Sequence, residues 1–304
     1  MADDRLLRAA VPARAVQIIR DRNPKGVEIN VIEDGADLHN VDFLVPGFRG
    51  AGVLDQLSSL TQLSVLQVLS AGTDHYEDIV PPKATLCSAR GARDGPVAEW
   101  ILGALLGASS GLLQCARERQ WDDERHNDDL GAWTVLIVGL GSIGRLVEDR
   151  LQALGTTVVG VASHARHGVH GIDELPELLP QADAVVLLTP LTDRTQGLIG
   201  AAELAAMPDG ALLVNAARGP VVDTDALLAE VVGPRLRAVL DVTDPEPLPA
   251  GHPLWDALGV LSITPHVGGD SPLGWQRAAE LAGDQLARWL AGEELLNVVR
   301  KGTA

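Results

Sequence analysis

The segment Trp133-Thr134-Val135-Leu136-Ile137-Val138 runs without a break into Gly139-Leu140-Gly141-Ser142-Ile143-Gly144, and a helical pattern follows to Leu154. Few folds accept an apolar run, three glycines at this spacing and a helix in that order. Gly139 permits a tight turn, Gly141 lets a pyrophosphate approach the backbone, and Gly144 lets the helix pack closely on the strand. The backbone N–H groups around Ser142 and Ile143, at the helix start, then face an anion. The segment predicts the opening strand–turn–helix unit of a parallel α/β sheet that binds a dinucleotide. A glycine-rich turn without a ligand is the plainer alternative, and the fingerprint taken alone is weak evidence against it.

The same alternation extends through the chain. Before the fingerprint, Val27–Ile32, Val41–Pro46 and Leu63–Leu69 read as strands, and Pro96–Leu113 as a helix with proline near its start. The first strand, Ala9–Pro12, looks unusually brief. An acidic stretch, Arg117–Asp129, reads as a surface loop. After the fingerprint, strand candidates recur at Val158–Val161, Ala184–Leu188, Ala211–Val214, Ala238–Leu240 and Val260–Ile263. Helical stretches lie at Ala201–Met207 and Asp225–Val232, and a long last helix at Leu273–Leu290. Strands alternating with helices predict a parallel sheet. At 304 residues, one large domain or two modest ones are expected.

The strand after the fingerprint ends Gly160-Val161-Ala162-Ser163-His164-Ala165-Arg166. A site that prefers NAD places an acid there, about 20 residues on, to hold the ribose 2′-hydroxyl. None stands near Ala162. Ser163, His164 and Arg166 suit a 2′-phosphate, which a carboxylate repels and a guanidinium attracts. The reading is NADP(H), with NAD possible if Arg166 points to solvent. His164, His167 and His170 recur every three residues, but no Cys or carboxylate stands close before Asp173. They read as a solvated loop beside the cofactor, and no metal is expected.

Three further residues carry chemistry. Arg218 lies in Asn215-Ala216-Ala217-Arg218-Gly219, Glu246 in Glu246-Pro247-Leu248, and His266 in Thr264-Pro265-His266. Reducing a 2-keto acid needs a clamp for the carboxylate, which suits a guanidinium with forked donors. It needs a proton for the carbonyl oxygen, which suits an imidazolium, and an acid to orient that ring. Each of the three follows an apolar strand candidate, where ligands gather in open α/β sheets. Any one alone reads equally well as an ordinary surface or loop residue.

With Ser70-Ala71-Gly72-Thr73-Asp74-His75, Pro96-Val97-Ala98-Glu99, Leu188-Thr189-Pro190-Leu191-Thr192 and Leu240-Asp241-Val242 added, the chain resembles the D-isomer-specific 2-hydroxyacid dehydrogenase family over nearly its whole length. The resemblance implies two Rossmann-like α/β domains with parallel sheets and a cleft between them. The cofactor domain, residues 96–275, would be inserted into a discontinuous substrate domain of residues 1–95 and 276–304. Helices near Pro96–Leu113 and Leu273–Leu290 would link the halves, and closure on ligand would exclude water. The resemblance implies Arg218 as substrate clamp, His266 as acid/base and Glu246 as its partner. It implies the backbone of Ala71 and Gly72 on the substrate carboxylate, Asp241 near the nicotinamide carboxamide, Ala216 beside the cofactor, and Thr189 and Pro190 along the adenosine side. It implies a homodimer. Glyoxylate or hydroxypyruvate is the expected substrate type. NAD-linked oxidation of a D-2-hydroxy acid or of phosphite, or a cofactor-sensing protein like the related corepressors, are the alternatives.

Departures from the family refine this. Glutamate at 246 disfavours the formate dehydrogenase branch, which carries glutamine there. The end at Ala304 leaves no room for the regulatory domain of some phosphoglycerate dehydrogenases, so feedback control of that kind is not expected. Arg90 and Arg93 sit where the family varies and read as solvated, with a substrate pocket that favours an acidic substrate as the alternative. Trp255 and Trp275 read as core, with pocket walls as the alternative.

Composition excludes other classes. A formal net charge of −17 repels nucleic acid and anionic membranes. Two cysteines, Cys87 and Cys115, make no disulfide framework and read as buried, reduced thiols. The acidic Met1–Arg5 opening is no secretory signal, and no run of about 18 apolar residues predicts a membrane span. A cytoplasmic enzyme is expected.

Overall fold

The computed structural model describes residues 6–303 apart from positions 23, 33–35, 48–49, 51–52, 119–120, 122 and 125. The Met1–Arg5 opening, and parts of the acidic stretch after Arg117, therefore lie outside the described residues. The chain divides into two compact units: Met1–Arg93 with Asp270–Ala304, and Asp94–Gly269.

In the first unit the order is β1 (Leu7–Pro12), α1 (Ala13–Asp21), β2 (Val27–Ile32), β3 (Phe43–Leu44), α2 (Leu54–Leu57), β4 (Val65–Gln67) and β5 (Thr85–Cys87). The chain returns with α9 (Pro272–Leu290) and β13 (Val298–Arg300). The sheet runs β13-β5-β4-β3-β1-β2, parallel except where β13 pairs antiparallel with β5. β1 is two residues longer than the sequence suggests. Its polar Arg8 breaks the apolar run but sits 3.3 Å from Glu28 on the neighbouring strand. β13 carries no apolar alternation long enough to announce itself. Its Arg300 guanidinium donates to the carbonyls of Glu77, Val80 and Pro81 and anchors the tail.

Proline at the first turn and the Ser271 hydroxyl, which accepts the Gly274 N–H at 3.0 Å, start α9. Its Gln285 is fully buried and bonds to Gln67 of β4 at 3.1 Å and to both backbone groups of Leu296. A buried amide so fully used holds the last helix in one register. Burial also pushes the neighbouring Cys87 thiol up to about 11, so it stays protonated at neutral pH. Cys115 corrects the expectation of two buried thiols: it is exposed, on a helix with no buried residue.

The second unit contains α3 (Asp94–Ser109), α4 (Leu112–Glu118), β6 (Thr134–Val138), α5 (Ser142–Ala153), β7 (Thr157–Ala162), β8 (His170–Gly171), α6 (Leu175–Leu178) and β9 (Ala184–Leu187). It continues with α7 (Ala201–Ala206), β10 (Leu212–Asn215), α8 (Thr224–Val231), β11 (Arg237–Leu240) and β12 (Val260–Ile263). All its strand pairs are parallel, in the order β12-β11-β10-β9-β6-β7-β8. The order reverses between β6 and β9, the crevice where open α/β sheets take ligands. Strand residues are buried on both faces: Ala184 and Val186 of β9 join a core with Ile101 and Leu105, and Val185 and Leu187 one with Leu204 and Leu227. Such two-sided burial explains why these strands read as unbroken apolar runs.

The helix expected over Pro96–Leu113 is broken. Gly111 takes φ +69°, Ser110 turns its hydroxyl back to the Leu106 carbonyl, and α4 leaves α3 at 71°. Glycine in the left-handed region ends a helix without steric cost. Among the described residues no single helix is long and apolar enough to cross a membrane. Arg93 is 8% exposed, against the expectation of a solvated side chain, and stands 3.9 Å from Asp270. Trp275 is core, but Trp255 is 44% exposed, with its indole N–H on the Pro249 carbonyl.

Candidate active site

The glycine loop sits at the switch point. Gly139 takes φ +111°, and a Cβ there would stand 2.6 Å from the Leu188 carbonyl carbon at the end of β9. A Cβ on Gly144 would stand 2.7 Å from the Gly139 oxygen, so only glycine lets α5 start this close to the turn. A Cβ built on Gly141 would meet no atom within 4 Å, so the space beside its Cα is open to a ligand. α5 has no side-chain cap, so the N–H groups of Ser142, Ile143 and Gly144 meet no capping side chain.

A cavity of about 720 Å³ opens over this loop. Gly139, Gly141, Ser163, Arg166, Thr189 and Pro190 line it, as does Arg194. Ser142, Ile143, Gly144, His164, Ala216 and Asp241 do not line it. The Thr189 hydroxyl is buried beside it and bonds to no protein group among the described residues. An approachable glycine backbone, uncapped helix donors and an orphaned hydroxyl at one cavity fit a dinucleotide. The Arg166 guanidinium donates to the Leu140 carbonyl at 3.0 Å, although the residue as a whole is exposed. Gly168, at φ +71°, closes the tight turn that returns the chain from Arg166 to Val169. His164 is exposed, and His170 pairs with Glu174 at 2.7 Å, which with the Gly171 N–H lowers the Glu174 carboxyl.

Sequence reasoning missed Arg194 and Thr195. The Thr195 hydroxyl donates to the Pro190 carbonyl at 2.6 Å and accepts the Thr192 N–H, shaping the Pro190–Thr195 loop. The motif Leu188–Thr192, read three residues further, contains both.

The three chemistry-bearing residues all follow strand ends of this sheet. Arg218 follows β10, in a loop braced by Asn215. The Asn215 side chain accepts the Ala217 N–H at 3.0 Å and donates to the Arg218 carbonyl at 3.1 Å. Gly219 lies so tightly on the Thr243 carbonyl that a Cβ would overlap it. Half-buried Arg218 also donates to the Ala217 carbonyl at 2.7 Å. Glu246 follows β11 and His266 follows β12. Their side chains meet at 2.9 Å, Nδ1 of the imidazole against Oε1, with about 30% of each exposed. His266 has φ +57°, a left-handed backbone that costs a non-glycine residue about 1 kcal/mol or more and marks sites under constraint. Ala71 and Gly72 lie in the other unit, in the loop after β4; Ala71 is exposed and Gly72 half-buried.

Residues 102–268 match the family model described as D-isomer specific 2-hydroxyacid dehydrogenase, NAD binding domain. The chain belongs to the D-isomer specific 2-hydroxyacid dehydrogenase family. The α/β architecture of the family is what both sheets show. A glyoxylate reductase of Thermofilum pendens is 33% identical over 78% of this chain and 75% of its own length. A D-3-phosphoglycerate dehydrogenase of Methanocaldococcus jannaschii is 30% identical over 81% of this chain, which spans about half, 49%, of that relative. An NADPH-dependent glyoxylate/hydroxypyruvate reductase of Sinorhizobium meliloti, solved with NADP and sulfate, superposes with a TM-score of 0.83. It is 25% identical, with 96% of this chain and 98% of that one covered. Family membership makes the protein an oxidoreductase of the NAD(P)-dependent 2-hydroxyacid dehydrogenase type.

Proposed function

We propose that this protein reduces a small 2-keto acid such as glyoxylate or hydroxypyruvate to the D-2-hydroxy acid, with NADPH preferred. The observation that carries the reading is the 2.9 Å pair of His266 and Glu246, beside the strand whose loop bears Arg218. Bound at the glycine loop, a reduced nicotinamide dinucleotide supplies the hydride. His266 supplies the proton: with Nδ1 toward Glu246, Nε2 is the nitrogen that hands its hydrogen to the carbonyl oxygen. The Glu246 carboxylate accepts from Nδ1 and so orients the ring. Arg218 takes the substrate carboxylate with two parallel donors. The backbone of Ala71 and Gly72 is assigned to the same carboxylate. Ala216 and Asp241 are assigned to the nicotinamide side, and Thr189 and Pro190 to the adenosine side. The NADPH preference is supported by the lack of an acid after β7 and by Ser163, Arg166 and Arg194 on the cavity wall.

A panel of 2-keto acids assayed with both reduced cofactors tests this. Turnover is expected with NADPH at higher kcat/KM than with NADH. Arg166→Ala is expected to cut the NADPH value about tenfold or more and to leave the NADH value nearly unchanged, since a hydrogen bond to a charged group contributes about 1.5–3 kcal/mol. Higher kcat/KM with NADH in the parent enzyme overturns the cofactor assignment. Cofactor binding without turnover of any member of the panel overturns the enzymatic one and favours a sensor. We further assign the protein to the cytoplasm as a homodimer. Light scattering should give twice the chain mass of 32.0 kDa, and a single chain mass removes the dimer.

A further inference from the structure

The backbone of Asp241 lies between the two loops that carry Arg218 and His266. Its N–H donates to the Asn215 carbonyl at 2.9 Å, at the root of the Arg218 loop. Its own carbonyl accepts the His266 N–H at 2.7 Å. The side chain, 5% exposed, then turns onto the His266 loop. Oδ1 accepts the Thr264 hydroxyl at 2.6 Å and the Val267 N–H at 2.8 Å, and Oδ2 accepts the Gly268 N–H at 2.9 Å. These donors come from both sides of His266, the one histidine among the described residues with a left-handed backbone. A residue in that conformation persists only where its surroundings over-determine it. Gly268 closes the arrangement: a Cβ there would stand 2.9 Å from Oδ2 and 3.3 Å from Trp100.

We infer that Asp241 is a positioning residue for His266, its buried carboxylate gripping the loop on both sides of the histidine so that the imidazole faces Glu246. This rests on the reading of His266 as the proton donor. This role is additional to the nicotinamide-side contact assigned above: three of the roughly four acceptor positions of the carboxylate are taken by the protein's own loop, which leaves one for a ligand. A loop released by even 1 Å loses catalysis without losing ligand affinity, by about 10²-fold where geometry governs the rate.

Asp241→Asn keeps the shape but replaces one acceptor with an amide donor that faces an N–H. In this variant kcat is expected to fall about 30-fold or more, while KM and the Kd for NADPH stay within about threefold of the parent because the asparagine oxygen still accepts from a nicotinamide carboxamide. In the protein without cofactor, the Val267 and Gly268 amides are expected to exchange hydrogen about tenfold faster. Thr264→Val, which removes one donor and leaves the carboxylate, should show the same pattern more weakly. A tenfold or larger rise in the NADPH Kd with kcat unchanged, or unchanged amide exchange in both variants, overturns the inference. An active His266→Ala variant alongside faster exchange in Asp241→Asn would instead sink the proton-donor reading and leave the grip of Asp241 on the loop intact.

Discussion

His266→Ala is expected to lower kcat by about 10²–10⁴-fold, the range set by loss of a positioned general acid. The Kd for the reduced cofactor should stay within about threefold of the parent, because the imidazole meets Glu246 and not the glycine-loop cavity. Stopped-flow turnover and fluorescence titration of NADPH give the two numbers. Glu246→Gln should produce a milder form of the same loss, since the glutamine oxygen still accepts from Nδ1 but holds the ring with a weaker hydrogen bond than a carboxylate does. If His266→Ala turns over at the parent rate, the proton comes from elsewhere and the mechanism is wrong.

Arg218→Ala is expected to reduce kcat/KM by about 10³-fold, from the 2–5 kcal/mol attached to truncating one side of a desolvated charge pair. Here KM should rise as well as kcat fall, because the clamp holds the substrate carboxylate before and during the reaction. Arg218→Lys should recover little, since one ammonium cannot reproduce a planar fork. Removing the side chain leaves the brace of Asn215 in place, so the loop keeps its course. A KM unaffected by Arg218→Ala would remove this residue from the substrate site.

Much of the second unit was legible because its strands are covered on both sides. Burial of every residue of β9 and β10 forces an apolar run that stands out in any reading. The glycine loop was legible for a related reason: close backbone approach tolerates only hydrogen at Gly139 and Gly144. Two of the short elements were not legible. β8 and β13, at two and three residues, carry too few side chains for a period, and β13 is held by Arg300 and its antiparallel pairing with β5. The break between α3 and α4 was hidden because the apolar spacing continues through it. Only Gly111 marks it, and a lone glycine inside a helical pattern is ambiguous.

Sequence by itself determined the residue types that the chemistry requires: an arginine, a glutamate and a histidine after successive strands, a glycine fingerprint before them, and no acid after β7. Local chain rules suffice for that, because strand ends and glycine turns are written in neighbouring residues. Tertiary structure alone decided which side chains meet. It brought Glu246 to 2.9 Å from His266, 20 positions further along the chain, and turned Arg166 back onto Leu140. It folded the Asp241 carboxylate onto three donors more than 20 residues away. Hydrogen bonds between loops depend on the stacking of β10, β11 and β12 side by side, and that adjacency is set by the packed sheet, not by distance along the chain.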